Sequence, residues 1–81
     1  MLTGAQIRAA RGLLGWSQKD LAEHADVGFT TVQRAERDSG VFKGAVQTVL
    51  KFEGALERAG VEFIDADQDK GPGVRLARRL A

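Results

Sequence analysis

The sequence predicts a mainly α-helical domain: four helices closed by a C-terminal β-hairpin. Three observations carry this. Apolar residues recur at helical spacing through the first sixty positions, the period turns strand-like at Val61, and turn residues close each segment. Eighty-one residues suffice for one domain and are too few for two. Residues 1–60 read as the helical unit and 61–81 as a hairpin and tail. A chain this short buries only about 60–65% of its unfolded surface, so a second subunit is a natural source of stability.

Thr3 can cap the first helix, with Gln6 three residues on as its capping-box partner. Ile7, Ala10, Leu13 and Leu14 form its apolar stripe, and Gly15 stops it. Ser17 caps the second helix, Gln18 to Ala25. Its third position, Asp20, also suits the positive end of the helix. Leu21, Ala22 and Ala25 face inward, and Asp26-Val27-Gly28 breaks the helix. The third helix runs from Phe29 to Arg37, with Val32 and Ala35 inward and Gln33, Arg34 and Arg37 elsewhere. A fourth is expected from Gly44 to Ala59. It carries two apolar stripes, Val46 with Leu50, and Ala45, Val49, Phe52, Leu56 and Ala59. That exceeds the need of one small core and implies a second buried contact. Val61 to Ile64 and Val74 to Leu76 are β-prone, with Asp65 to Gly73 as a long loop. Such a hairpin is marginal alone, so it packs on a helix or pairs with another chain. Val61 and Phe63 share one strand face, and Val74 and Leu76 share another.

Composition excludes several functions. Twelve Lys and Arg against eleven Asp and Glu leave a net charge of +1, which is not a basic nucleic-acid coat. Without cysteine there are no disulfides or thiolate metal sites, as suits a reducing cytoplasm. No apolar run reaches membrane-spanning length, and Met1 to Gly4 does not open like a signal peptide. A cytoplasmic protein is expected. No nucleophile–base pair, metal cluster or phosphate loop points to an enzyme or a cofactor.

The informative segment is residues 18–37: a short helix, a three-residue turn and a second helix. The small Ala22 lets the two helices cross closely at a steep angle. This is helix-turn-helix geometry, in which the second helix enters the DNA major groove. The segments Ile7-Arg8-Ala9-Ala10-Arg11, Leu14-Gly15-Trp16-Ser17-Gln18-Lys19-Asp20-Leu21-Ala22 and Arg34-Ala35-Glu36-Arg37 carry a resemblance. The chain resembles phage-repressor-like helix-turn-helix regulators of the Cro/CI and xenobiotic-response-element kind. Its tail, Ala59 to Ile64 with Gly71-Pro72-Gly73-Val74, looks like that of a small bacterial subgroup. Three positions depart from the family pattern. Asp26 stands for the usual turn glycine and tolerates left-handed backbone. Gly28 replaces the usual serine cap and is a weaker one. Ala35 replaces a larger aliphatic residue, leaving room for Phe42 or Trp16.

The resemblance implies that Gln18 contacts a phosphate and that Phe29, Thr30, Gln33 and Arg34 face base edges or sugar-phosphate. The chemistry agrees: glutamine reads adenine, arginine reads guanine with two bonds, and Thr or Phe packs on a thymine methyl. Phe29 is either such a contact or a staple onto the core. Thr31 reads as a phosphate contact or local cap, and Arg37 and Lys43 as a backbone clamp. The resemblance implies transcriptional control of double-stranded DNA, by a homodimer because one small domain contacts few base pairs. The alternative is a helix-turn-helix used as a protein-interaction module, an antitoxin or anti-activator. The modest net charge, Asp26 and the acidic 65–69 loop motivate it.

Trp16 precedes the Ser17 cap and is expected to pack near Asp20 or Leu21. His24 reads as a surface histidine. Asp65-Ala66-Asp67-Gln68-Asp69 opens like a calcium loop, but Lys70 and Leu76 stand where glycine and a bidentate glutamate are required. Arg75, Arg78 and Arg79 read as a solubilising tail or a second phosphate contact.

Overall fold

The computed structural model describes residues 1–78, so the expectation for Arg79 lies outside the described residues. The elements are α1 (Gly4–Leu14), α2 (Gln18–Ala25), α3 (Phe29–Arg37), α4 (Val46–Arg58), β1 (Val61–Ile64) and β2 (Gly73–Leu76). Ile7, Leu21, Val32, Phe52 and Leu56 are fully buried, so every helix sends at least one large side chain into a single core. Val61 is buried with them, and Phe63 and Val74 pack against the cluster.

Local chemistry sets the first three helices where the spacing puts them. The Thr3 hydroxyl accepts from the Gln6 N–H at 3.0 Å, and Gln6 Oε1 accepts from the Thr3 N–H at 2.9 Å. Ser17 and Asp20 build the same reciprocal box on α2. Asp26 ends α2 in the left-handed region, with φ 55° and ψ 51°. α4 is shorter than expected. Ala45 is extended and no side chain caps the helix, so it begins at Val46, and Ala59 forms its closing turn. Leu13 lies at the edge of the α1 stripe in the last turn and is exposed, while Leu14 is half-buried.

α1 is tied at its N-terminus to the segment that leaves α3. The Gly4 N–H donates to the Gly40 carbonyl at 2.9 Å, and Phe42 N–H to Leu2 at 2.9 Å. A Cβ on Gly4 would lie 1.9 Å from the Asp38 carbonyl oxygen and 2.6 Å from that of Ala35. Only glycine permits this backbone approach. Phe42 joins the core edge-on to Phe52, with ring centroids 5.7 Å apart. Trp16 lies half-buried against the core but stacks on His24 at 4.0 Å, rather than settling only near Asp20 or Leu21. His24 is exposed, with Nδ1 2.8 Å from the Asp20 carbonyl oxygen.

The hairpin packs on α1 and α4 of its own chain. Val61 faces Leu76 and Phe63 faces Val74, so all four lie on one sheet face, not on two. Gln6 fastens the open end: its Nε2 donates to the Gly73 carbonyl at 3.0 Å. Arg75 is a strand residue rather than tail and pairs with Glu62 at 2.5 Å. In the loop, Asp67 Oδ1 accepts from the Asp69 and Lys70 N–H groups at 2.8 Å, a local turn. Among the described residues no helix is long and apolar enough to cross a membrane.

Candidate nucleic-acid interface

α3 has two sides with different chemistry. Val32, Ala35 and Glu36 are buried, while Phe29, Thr30, Gln33, Arg34 and Arg37 are exposed. The split follows from the helical period: residue 36 falls one turn beyond Val32 and shares its inward face. Glu36 therefore carries a carboxylate into the interior, with its side chain 3% exposed.

That carboxylate is fully engaged. Arg11 grips it with two charge-assisted hydrogen bonds, Nε to Oε2 and Nη2 to Oε1, both 2.7 Å. The remaining Nη1 of Arg11 donates to the Trp16 carbonyl at 3.0 Å. Gln18 Nε2 donates to Glu36 Oε1 at 3.2 Å. Hydrogen bonding to Glu36 raises the Arg11 pKa above the ordinary arginine value, and the carboxylate charge adds to this. Burial opposes both. One carboxylate thus links α1, α2 and α3 and sets the angle at which α3 is presented. Arg8 closes the far end. Its guanidinium donates to the Glu36 carbonyl and to Ser39 Oγ, placing a cation at the negative end of α3.

In front of this network lies an open cleft of about 450 Å³, lined by Arg8, Arg11, Gln18, Gln33, Glu36 and Arg37. The cleft brings together Gln18, Gln33 and Arg37 of the residues expected from sequence. Gln18 is half-buried and bound to Glu36. Thr30 and Arg34 stand exposed along the same helix, outside the cleft lining. Phe29 is 47% exposed and is not among the side chains packed on the core. Thr31 is half-buried near the start of α3, and Lys43 is exposed on the segment between α3 and α4. Neither Arg34, Arg37 nor Lys43 makes an ion pair among the described residues.

Gly28 begins α3 with no side-chain cap, so amide N–H groups of the first turn stay open toward solvent. Beside it, Lys51 of α4 donates to the Asp26 carbonyl at 3.2 Å and pins the turn between α2 and α3.

Residues 7–43, just under half of the chain, match the model of a protein family described as helix-turn-helix. This segment is similar to helix-turn-helix domains, as its resemblance to the Cro/CI type implies. No curated protein matches the chain as a relative. The matched segment spans the whole Arg11–Gln18–Glu36 network, and α3 is the second helix of its helix-turn-helix.

Arg11 and Glu36 are the members of the site that their sequence positions hid. Both look like ordinary surface charges on amphipathic helices. The available signal was spacing: Glu36 follows Val32 by one helical turn, on the face that also holds Ala35.

Proposed function

We propose that this protein is a sequence-specific DNA-binding transcriptional regulator, working in the bacterial cytoplasm as a homodimer on an operator of two half-sites. The observation that carries the reading is the polar outer face of α3, anchored by Glu36 and carrying arginines that are unpaired among the described residues. Arg34 and Gln33 read base edges, and Thr30 and Phe29 meet sugar or thymine methyl groups. Gln18, Thr31, Arg37 and Lys43 hold phosphates, with the open amides at Gly28 adding donors. Gln18 is pre-oriented for this by its bond to Glu36.

Dimerisation is the second half of the reading. A single copy reads too few base pairs for useful specificity. Two recognition helices about 34 Å apart enter successive major grooves on one face of the duplex. The test is selection of duplexes from a random pool, followed by titration of the enriched sequence at several salt concentrations. The expected result is a two-half-site sequence bound with Kd of about 10⁻⁸–10⁻¹¹ M and weakening steeply with salt. No enrichment from the pool overturns the reading in favour of a protein-interaction module.

A further inference from the structure

We propose that Phe42 and Gly44 are positioning residues for Lys43. They hold it outward, at a fixed place on the segment between α3 and α4, as a contact for a DNA phosphate. The proposal rests on the DNA-binding reading above and adds the residues that aim one of its cations.

Lys43 is exposed and makes no ion pair among the described residues. An ammonium on a loose loop gains little from one phosphate, because both the segment and the side chain must be ordered on binding. What makes Lys43 useful is the backbone that carries it.

That backbone is tied down just before Lys43. The Gly4 N–H donates to the Gly40 carbonyl and the Phe42 N–H to the Leu2 carbonyl, both at 2.9 Å. Between these two bonds Thr3 and Val41 form an antiparallel bridge. Leu2 and Thr3 are themselves buried, so the tie is made to the core rather than to a free terminus.

The ring of Phe42 then packs on the core, edge-on to Phe52. Two residues later the chain passes over the same ring. A Cβ on Gly44 would lie 2.6 Å from Cε2 and 3.0 Å from Cε1 of Phe42, inside van der Waals contact. Gly44 does not have a left-handed backbone, so it is the ring that requires a glycine here. One aromatic side chain therefore fixes the chain on both sides of Lys43, as the residue before it and as the support under the residue after it. An alanine at position 44 must displace either the ring or the backbone above it, and each of these moves carries Lys43 away from its place.

The test uses the intact chain and the duplex enriched from the random pool, titrated at several salt concentrations, with circular dichroism to check folding. Lys43→Ala, Gly44→Ala and the double variant are compared. Lys43→Ala should lower the salt slope by about 1. Gly44→Ala, which keeps the lysine, should lower it by a comparable amount and leave base preference unaltered. The double variant should bind no more weakly than Lys43→Ala alone, because one contact cannot be lost twice. A folded Gly44→Ala protein with the intact salt slope, or a double variant whose losses add in full, overturns the proposal and leaves the DNA-binding reading standing. A Lys43→Ala protein with the intact slope overturns it as well. An intact protein that enriches no duplex overturns both. If Gly44→Ala unfolds, Phe42→Leu, which keeps an apolar side chain without the ring, takes its place in the same cycle and decides by the same two readouts.

Discussion

Four arginines lie on or against α3, and the protein uses them in two ways. Arg8 and Arg11, from α1, are consumed by its own structure, on the Glu36 carbonyl and the Glu36 carboxylate. Arg34 and Arg37, on α3 itself, are exposed and unpaired among the described residues. A net charge of +1 therefore understates what the exposed face of α3 offers. The local field seen by a phosphate depends on which cations are already neutralised, not on their number in the chain.

The sharpest way to break this comparison is to remove Glu36. Glu36→Ala leaves Arg11, itself mostly buried, without its counter-charge. Losing one partner of a buried pair costs about 3 kcal/mol at the low end of its range. We expect a fall of that size in unfolding free energy by urea titration, and α3 released from its set angle. An unchanged midpoint would show that the pair is ornamental. On the exposed face the effect moves from stability to recognition. Arg34→Ala should cost about 1–3 kcal/mol on the preferred operator and relax base preference, with thermal stability unaltered. Arg37→Ala or Lys43→Ala should instead weaken all duplexes alike and lower the salt slope by about 1. A variant of Arg34 that keeps full operator preference while folded removes α3 as the reading head.

The contrast between the two pairs also marks what was legible in the sequence. The capping boxes at Thr3 and Ser17, the left-handed turn at Asp26 and the outward placement of Gln33, Arg34 and Arg37 follow from local rules, and the structure has them. The α4 start is not legible because nothing polar at Ala45 marks it. The hairpin posed a harder problem. Its strands are readable, but that they pack on this chain rests on distant partners: Val61, Phe63 and Val74 join the core, and the Gln6 amide reaches a carbonyl 67 residues away. Periodicity reports which face a residue occupies, not which distant partner waits there. The Arg11–Glu36 pair was lost for the same reason, because a charged residue on an inward position signals a partner without naming it.

Smaller effects separate the starts of α2 and α3. Ser17→Ala removes the hydroxyl that accepts from the Asp20 N–H at 3.0 Å and should cost about 1 kcal/mol. The same box holds the Asp20 carboxyl below its ordinary value of 3.8, first through the Ser17 backbone N–H and then its hydroxyl. A carboxyl depressed in the folded state stabilises the protein above its unfolded pKa, and that contribution is lost as pH falls through the folded one. Melting temperature should therefore drop as pH falls below about 4, and Asp20→Asn should flatten that limb. If Asp20→Asn leaves the acid limb unaltered, the box does not carry it.

The start of α3 is the counterpart, and filling it is the mildest test. Gly28 has φ −70° and ψ 150°, an extended conformation that any residue adopts. A Cβ there would come no closer than 3.8 Å to anything but its neighbours, the nearest atom being Thr31 Oγ1. Gly28→Ser therefore introduces no strain, restricts the unfolded chain and offers a hydroxyl to the open amides of the first turn. We expect a gain of about 0.5 kcal/mol, seen as a rise in melting temperature of about 2–4 °C. On DNA the same hydroxyl competes with the phosphate for those amides, so operator affinity should fall slightly while the fold becomes firmer. A variant that gains stability and loses no affinity would show that the amides at the start of α3 do not touch the backbone of the duplex. The phosphate contacts would then rest on side chains alone.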